Sequence, residues 1–396
     1  MERQKKNVLL LACCQALLLT SGVTLISIGA LAGYALAADK RLATLPSATY
    51  VIGALAGTLP ASMWMRRVGR RNGFLTGGTF GLVGSALAAY AMVSASFALL
   101  CVATMILGVY NAFGQYHRFA AADAAASDFK ARAISYVLAG GLVGGIAGPE
   151  ISKFTRELVF PTYAASYASI FVFALLGMAF ASRLAIPPAQ DSAVHGPARP
   201  LGAIVAQPVF IVAASVAALG YGTMNLLMTA TPLAMGFSGH AYGDAATVIA
   251  SHVVAMFAPS FFTGSLIKRF GVLNVMLAGV LLLFGCVAVA LSGEHVMHYW
   301  GALVLLGIGW NFTYIGGTTL LTEAYRPAEK AKAQGLNEVT IFTVQSVSAF
   351  SSGVLVNSEG WRVLNLVALV LIAAAGLALV WLSLGIRRPK TASGAP

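Results

Sequence analysis

Residues 62–71 read Ser62-Met-Trp-Met-Arg66-Arg67-Val-Gly69-Arg70-Arg71, and residues 264–271 read Gly264-Ser-Leu-Ile-Lys268-Arg269-Phe-Gly271. Each is a basic pair, one apolar residue and a glycine placed directly after a long apolar run, and the two lie about 200 residues apart. A second pair repeats the interval, Lys130-Ala-Arg132-Ala133 returning as Lys330-Ala-Lys332-Ala333. Between the copies stands Pro187-Pro188-Ala-Gln-Asp-Ser-Ala-Val-His-Gly-Pro-Ala-Arg-Pro200, too polar and proline-rich to cross a membrane. The chain thus divides into halves of one plan, residues 1–186 and 203–396, joined by a linker at 187–202.

Outside these punctuation marks the sequence is apolar. A bilayer core about 30 Å thick needs roughly 20 apolar residues in a helix. Twelve runs of that order emerge: 8–37, 44–65, 72–94, 97–119, 133–155, 164–186, 203–231, 243–267, 273–292, 298–322, 333–357 and 361–386. The predicted fold is an all-α integral membrane protein, twelve transmembrane helices in two six-helix pseudo-repeats, a design that lets two halves rock about a central site. Composition agrees: 58% of the 396 residues are hydrophobic and 10% charged, which excludes a water-soluble domain. The 42 glycines suit helices that must approach closely in lipid.

The net charge of +12 arises from short clusters between apolar runs, not from one basic face, so it reads as membrane orientation and not as nucleic-acid binding. Arg66, Arg67, Arg70, Arg71, Lys130, Arg132, Lys268, Arg269, Arg326, Lys330 and Lys332 fall in loops on the side of the termini. Only Lys40, Arg41, Lys153, Arg156 and Arg362 fall on the other side, which places both termini in the cytoplasm. The run from Val8 to Leu36 lacks a cleavage site at signal-peptide length and is read as a retained first span. Cys13, Cys14, Cys101 and Cys286 all lie in apolar segments, so no disulfide framework is visible.

These features resemble the major facilitator superfamily over essentially the whole chain. That family's loop motif after its second helix runs Gly-x-Leu-Ala-Asp-Arg-x-Gly-Arg; the basic part stands here at Arg66 to Arg71 and the aspartate does not, and Lys268 takes its place in the second copy. Gly140-Gly141, Gly144-Gly145 and Gly148-Pro149 resemble the glycine-rich motif of the fifth helix.

Met224-Asn-Leu-Leu-Met228 and His252-Val-Val-Ala-Met256 each set two donor side chains four residues apart, on one face of the seventh and eighth spans. Thioether with imidazole suits cuprous copper, and thioethers bind hard ions poorly. His252 is an ionisable group near mid-span, a functional position by default, with metal ligand, proton relay and substrate hydrogen bond as its open roles. Both motifs resemble those of the copper importers of the CcoA type within the superfamily. That resemblance implies copper(I) as transported substrate held by Met224, Met228, His252 and Met256, and uptake across the bacterial inner membrane for respiratory oxidase assembly. It also implies a periplasmic copper donor, a cytoplasmic acceptor and no resident cofactor.

Asn111, Gln115, His117 and Arg118 make the fourth span polar toward its terminal side and are candidate gate residues, as are Cys13 and Cys14, whose thiols suit a soft ion. His295, Met297 and His298 precede the tenth span, and Asn337 with Glu338 lies near the inner end of the eleventh. The rival readings are a carrier of a small organic solute such as a vitamin, amino acid or drug, with the methionines as lining, and a non-transporting assembly factor. No nucleotide loop or nucleophile elbow appears, so an enzyme is not expected.

Overall fold

The computed structural model describes residues 2–125, 130–186 and 199–387. All regular structure among them is helical. A helix satisfies every backbone N–H and C=O within its own segment, which hydrocarbon demands. The first half comprises α1 (Glu2–Leu36), α2 (Leu45–Val93), α3 (Phe97–Gly114), α4 (His117–Ala124), α5 (Lys130–Thr155) and α6 (Ala164–Ala181). The second comprises α7 (Leu201–Val205), α8 (Pro208–Phe237), α9 (Tyr242–Phe257), α10 (Ser260–Phe270), α11 (Val272–Leu291), α12 (Val296–Leu321), α13 (Lys330–Ser358) and α14 (Gly360–Arg387). Among the described residues nine helical segments are long and apolar enough to cross a membrane, and α9 with α10 makes a tenth. The long α2 is two helices joined at a kink, and α5 packs on α1. Most of the linker expected at 187–202, residues 187–198, lies outside the described residues.

The two copies of the basic motif make the same turn. Gly69 has φ 81° and ψ 166°, and Gly271 has φ 85° and ψ 150°, a combination essentially closed to residues with a Cβ. The spans expected at 44–65 and 72–94 are therefore separated by one glycine and not by a loop. Arg70 finds its acid elsewhere: Nε and Nη2 both lie 2.9 Å from the Asp123 Oδ2 on α4, and the guanidinium sits over the Tyr116 ring at 5.8 Å. The carboxylate missing from the loop motif is thus supplied from α4, just beyond the fourth run.

Two expected spans are interrupted. The run 97–119 breaks after Gly114, where the chain turns through Gln115 and Tyr116 into α4. The run 243–267 bends by 43° between α9 and α10. Pro259 causes that bend, because it has no N–H to donate to the preceding turn and its ring crowds the carbonyl there, although Ala258 itself keeps a helical conformation. Asn311 of α12 repairs the break, donating through Nδ2 to the Met256 carbonyl and to the Ser260 Oγ at 2.7 Å each.

Glycines let α5 lie directly against α1. A Cβ on Gly140 would strike the Ala12 carbonyl, one on Gly144 would lie 2.6 Å from the Ala16 carbonyl, and one on Gly148 would lie 2.8 Å from Val23. This seam brings α5 onto the α1 backbone, and Thr24 Oγ1 donates across it to the Gly148 carbonyl at 3.1 Å. Gly145, on another face of α5, meets Val253 of α9 and so belongs to the contact between the halves.

Candidate solute site between the halves

The hydrogen bonds joining the halves gather at the end of the bundle away from the termini. Thr44 Oγ1 donates to the Phe350 carbonyl at 3.3 Å and accepts from the Gly353 N–H at 2.9 Å. The Tyr242 hydroxyl donates to Ser152 Oγ at 2.6 Å, and Lys153 Nζ to Thr247 Oγ1 at 2.9 Å. The Arg156 guanidinium lies over the Tyr242 ring at 4.6 Å, and Tyr34 meets Phe237 edge-on at 5.7 Å. These contacts seal the far end over α1, α2 and α5 on one side and α8, α9 and α13 on the other.

Below this seal the interface is aromatic. Tyr221 of α8 stands edge-on to Trp310 (5.2 Å between centroids) and to Tyr314 (5.4 Å), both on α12. Trp310 and Tyr314 stack on each other at 4.9 Å with 11° between their planes, and Phe257 of α9 closes on Trp310 at 6.1 Å. From the first half, Tyr50 of α2 and Tyr110 of α3 come within electrostatic range of each other, and Tyr50 also of Tyr221. These two tyrosines line, with Leu18, Ser21, Gly22 and Ile170, a cavity of about 10 Å³ that lies within the first half. Two buried polar atoms at the cluster have no partner, Trp310 Nε1, a donor, and Gln345 Oε1, an acceptor. Flat faces with a spare donor and acceptor suit a planar heteroaromatic ring better than an ion.

At the mouth toward the termini, Arg118 of α4 and Glu338 of α13 are within electrostatic range of each other and of Tyr221 and Tyr314, without salt-bridge contact. Arg118 Nε is buried and unpartnered, its guanidinium resting over Phe119 at 4.9 Å.

The residues singled out from sequence fall into different places. Met224, Met228 and Met256 join one buried apolar core drawn mostly from the second half, which also holds Leu283, Leu306 and Trp310 and reaches Val23 and Ala30 of α1. His252 is fully buried and its Nδ1 is bound to the Leu303 carbonyl at 2.7 Å, leaving Nε2 unpartnered. His117 turns into the first half, where Nδ1 meets Gln15 Oε1 at 3.0 Å and the ring packs on Phe74 at 4.6 Å. Gln115 donates to Asn111 Oδ1 at 3.2 Å. Cys14 donates to the Gly177 carbonyl at 3.6 Å and lines, with His117 and Met178, a separate cavity of about 20 Å³; Cys13 is a partly exposed free thiol. Of the candidate gate residues, Arg118 is the one within electrostatic range of the second half's Glu338. Sequence reasoning passed over the aromatic cluster. Its one local signal is the i, i+4 spacing of Trp310 and Tyr314 inside an apolar span.

Two repeated helical halves, sealed at one end around a central site, define a secondary carrier. The profile of the Major Facilitator Superfamily matches residues 10–344 and 236–396, and the chain belongs to that superfamily. It is 42% identical over 376 residues to the riboflavin transporter RfnT of Brucella anthropi, covering 93% of this chain and 94% of that protein. It is also 30% identical over 372 residues to YdeG of Bacillus subtilis, an uncharacterized transporter of the same type, covering 89% and 85% of the two. Among solved structures, a point mutant of the nucleoside transporter NupG superposes with a TM-score of 0.77 at 14% identity, over 94% of this chain and 99% of that one, which is a likeness of fold.

The relative at 42% identity overturns the expectation of copper import. With copper go the donor and acceptor expected for it and the reading of Met224, Met228, His252 and Met256 as ligands of a transported copper ion. The physical reason lies in the motifs themselves. Four-residue spacing brings two side chains to one helix face, and that arrangement serves core packing as readily as it serves coordination.

Proposed function

We propose that this chain carries riboflavin, or a flat uncharged heteroaromatic solute close to it, across the cytoplasmic membrane. The observation that carries the reading is the cluster of Tyr221, Trp310 and Tyr314, with Tyr50 and Tyr110 on the facing half. The 42% identity to a riboflavin transporter supports it. An isoalloxazine ring offers a wide π-face and an edge of alternating hydrogen-bond donors and acceptors, which answers the stacked rings, Trp310 Nε1 and Gln345 Oε1. The protein is a carrier: it moves its solute unchanged.

In this reading the units 1–186 and 203–396 are the moving bodies and residues 187–202 their tether, with both termini in the cytoplasm as the basic loops favour. The form sealed at the far end is then the one that releases solute inward. Met224, Met228 and Met256 fill the irregular space behind the aromatic wall, and His252 ties α9 to α12 through Leu303.

The test is uptake of radiolabelled riboflavin by cells that cannot make it. The expected result is saturable uptake that falls roughly tenfold or more in Trp310→Ala and Tyr221→Ala, since losing an aromatic contact costs about 1 kcal/mol beyond its buried area. Met228→Leu and Met256→Leu, which keep volume, are expected to retain most of it. Uptake no higher than in cells carrying empty vector would overturn the proposal.

A further inference from the structure

The cavity of about 20 Å³ inside the first half is lined by three metal-binding side chains from three helices: Cys14 of α1, His117 of α4 and Met178 of α6. Phe74 and Tyr110 are among its other walls. The volume holds one guest about the size of a water, so the groups that line it lie within reach of one centre.

Each donor is held in place. The Cys14 thiol points at α6, where its bond to the Gly177 carbonyl is long, 3.6 Å, and weak. Met178 is the next residue of α6, and it enters because position 78 is a glycine: a Cβ there would strike Met178 Cγ and stand 2.7 Å from its sulfur. His117 is buried, its ring rests on Phe74 with 4.6 Å between centroids, and its Nδ1 lies 3.0 Å from Gln15 Oε1. An amide oxygen only accepts, so Nδ1 carries the proton and Nε2 keeps its lone pair. Histidines that bind metal are oriented in this way, by giving the second ring N–H to a fixed oxygen.

Thiolate, thioether and imidazole together select a soft ion over a hard one. Charge selects further. A buried site is costly unless its charges balance, and no carboxylate lines this cavity. One thiolate therefore neutralises a monovalent ion and leaves a divalent one uncompensated.

We propose that Cys14, His117 and Met178, with Gln15 as the positioning residue of His117, form a binding site for one soft monovalent metal ion in the wall of the first half. The ion is resident, not carried, and the site does not rest on the flavin reading. On binding, a metal–sulfur bond replaces the S–H bond of Cys14, and the thiol proton leaves to solvent.

The probe is silver(I), added in chloride-free buffer to the detergent-purified full chain carrying Cys13→Ser, Cys101→Ala and Cys286→Ala, so that Cys14 is the one thiol left. One silver ion per chain is expected to bind with release of one proton in weak buffer, and zinc(II) is expected not to displace it. X-ray absorption at the silver edge is expected to show two sulfur neighbours and one nitrogen. Met178→Leu, which keeps volume and so keeps the fold, is expected to lose one sulfur neighbour and to weaken binding about tenfold or more. His117→Gln is expected to lose the nitrogen, and Gln15→Leu to weaken binding about tenfold with all three neighbours retained. A single sulfur neighbour, with affinity unchanged in Met178→Leu, marks an ordinary thiol adduct and overturns the site. Absence of silver binding in the parent chain overturns it as well.

Discussion

Replacing Gly69 by alanine tests whether the shared turn of the two halves depends on backbone freedom alone. At Gly69 (φ 81°, ψ 166°) and Gly271 (φ 85°, ψ 150°) the chain occupies a region that residues with a Cβ avoid. No atom lies within 4 Å of where a Cβ would stand at either position, so crowding contributes nothing and the whole effect is conformational. Such strain costs about 1–3 kcal/mol per residue. Gly202 is the control: it is equally open, has no unusual φ and sits in helix α7, where alanine gains about 0.5–1 kcal/mol over glycine. The free thiols Cys14 and Cys286 are buried, so a thiol-reactive dye follows unfolding of the detergent-purified protein. At about 2–4 °C per kcal/mol, Gly69→Ala and Gly271→Ala are each expected to lower the midpoint by about 2 °C or more. Because the two turns belong to different halves, their effects are expected to add. Gly202→Ala is expected not to lower the midpoint. Gly69→Ala melting with the wild type would refute the reasoning.

Two further outcomes follow from contacts at the two ends of the bundle. A side chain at Gly353 would meet the Thr44 hydroxyl, so Gly353→Leu overfills the far-end seal; overpacking of about 1–3 kcal/mol in the sealed form alone shifts the balance between forms about 10- to 100-fold. A cysteine placed at Ser47, buried beneath that seal, is then expected to react faster with a thiol reagent, and an unchanged rate would show that the seal does not hold the halves. At the other end, hydrogen bonds from the Arg199 guanidinium, helped by the backbone N–H groups of Arg326 and Arg199, hold the Glu329 carboxyl well below the usual carboxylate range. A depressed carboxyl stabilises the fold above its unfolded value near about 4.3, and that contribution fades as pH falls toward the folded value. Melting midpoints taken from about pH 6 down to about pH 3 are expected to fall more steeply in the wild type than in Glu329→Gln, and parallel curves would remove Glu329 from the account.

The membrane class and the two-halved plan were legible in the chain because both rest on local quantities. Apolar runs of bilayer length and the basic motif at Arg66 and Lys268 act through residues adjacent in sequence. The glycines of α5 were legible for the same reason. The bend at Pro259 was readable from proline chemistry, but its repair by Asn311, 52 residues on, was not.

The site was not legible, and copper shows why. Met224, Met228, His252 and Met256 form two sequence-local patterns at helical spacing, and such patterns do not reveal what faces them. The aromatic wall is assembled from Tyr50, Tyr110, Tyr221, Phe257, Trp310 and Tyr314 on five helices, each ordinary in its own segment. Glu338 reads from sequence as a charge near a helix end, and only the packing of α13 beside α8 and α2 brings it within electrostatic range of Tyr314 and Arg118. Hydropathy and spacing determine which segments enter the bilayer, because every residue there answers to the same solvent. Which side chains meet across the halves depends on the rotation and pairing of helices hundreds of residues apart, and that is decided only when the bundle closes.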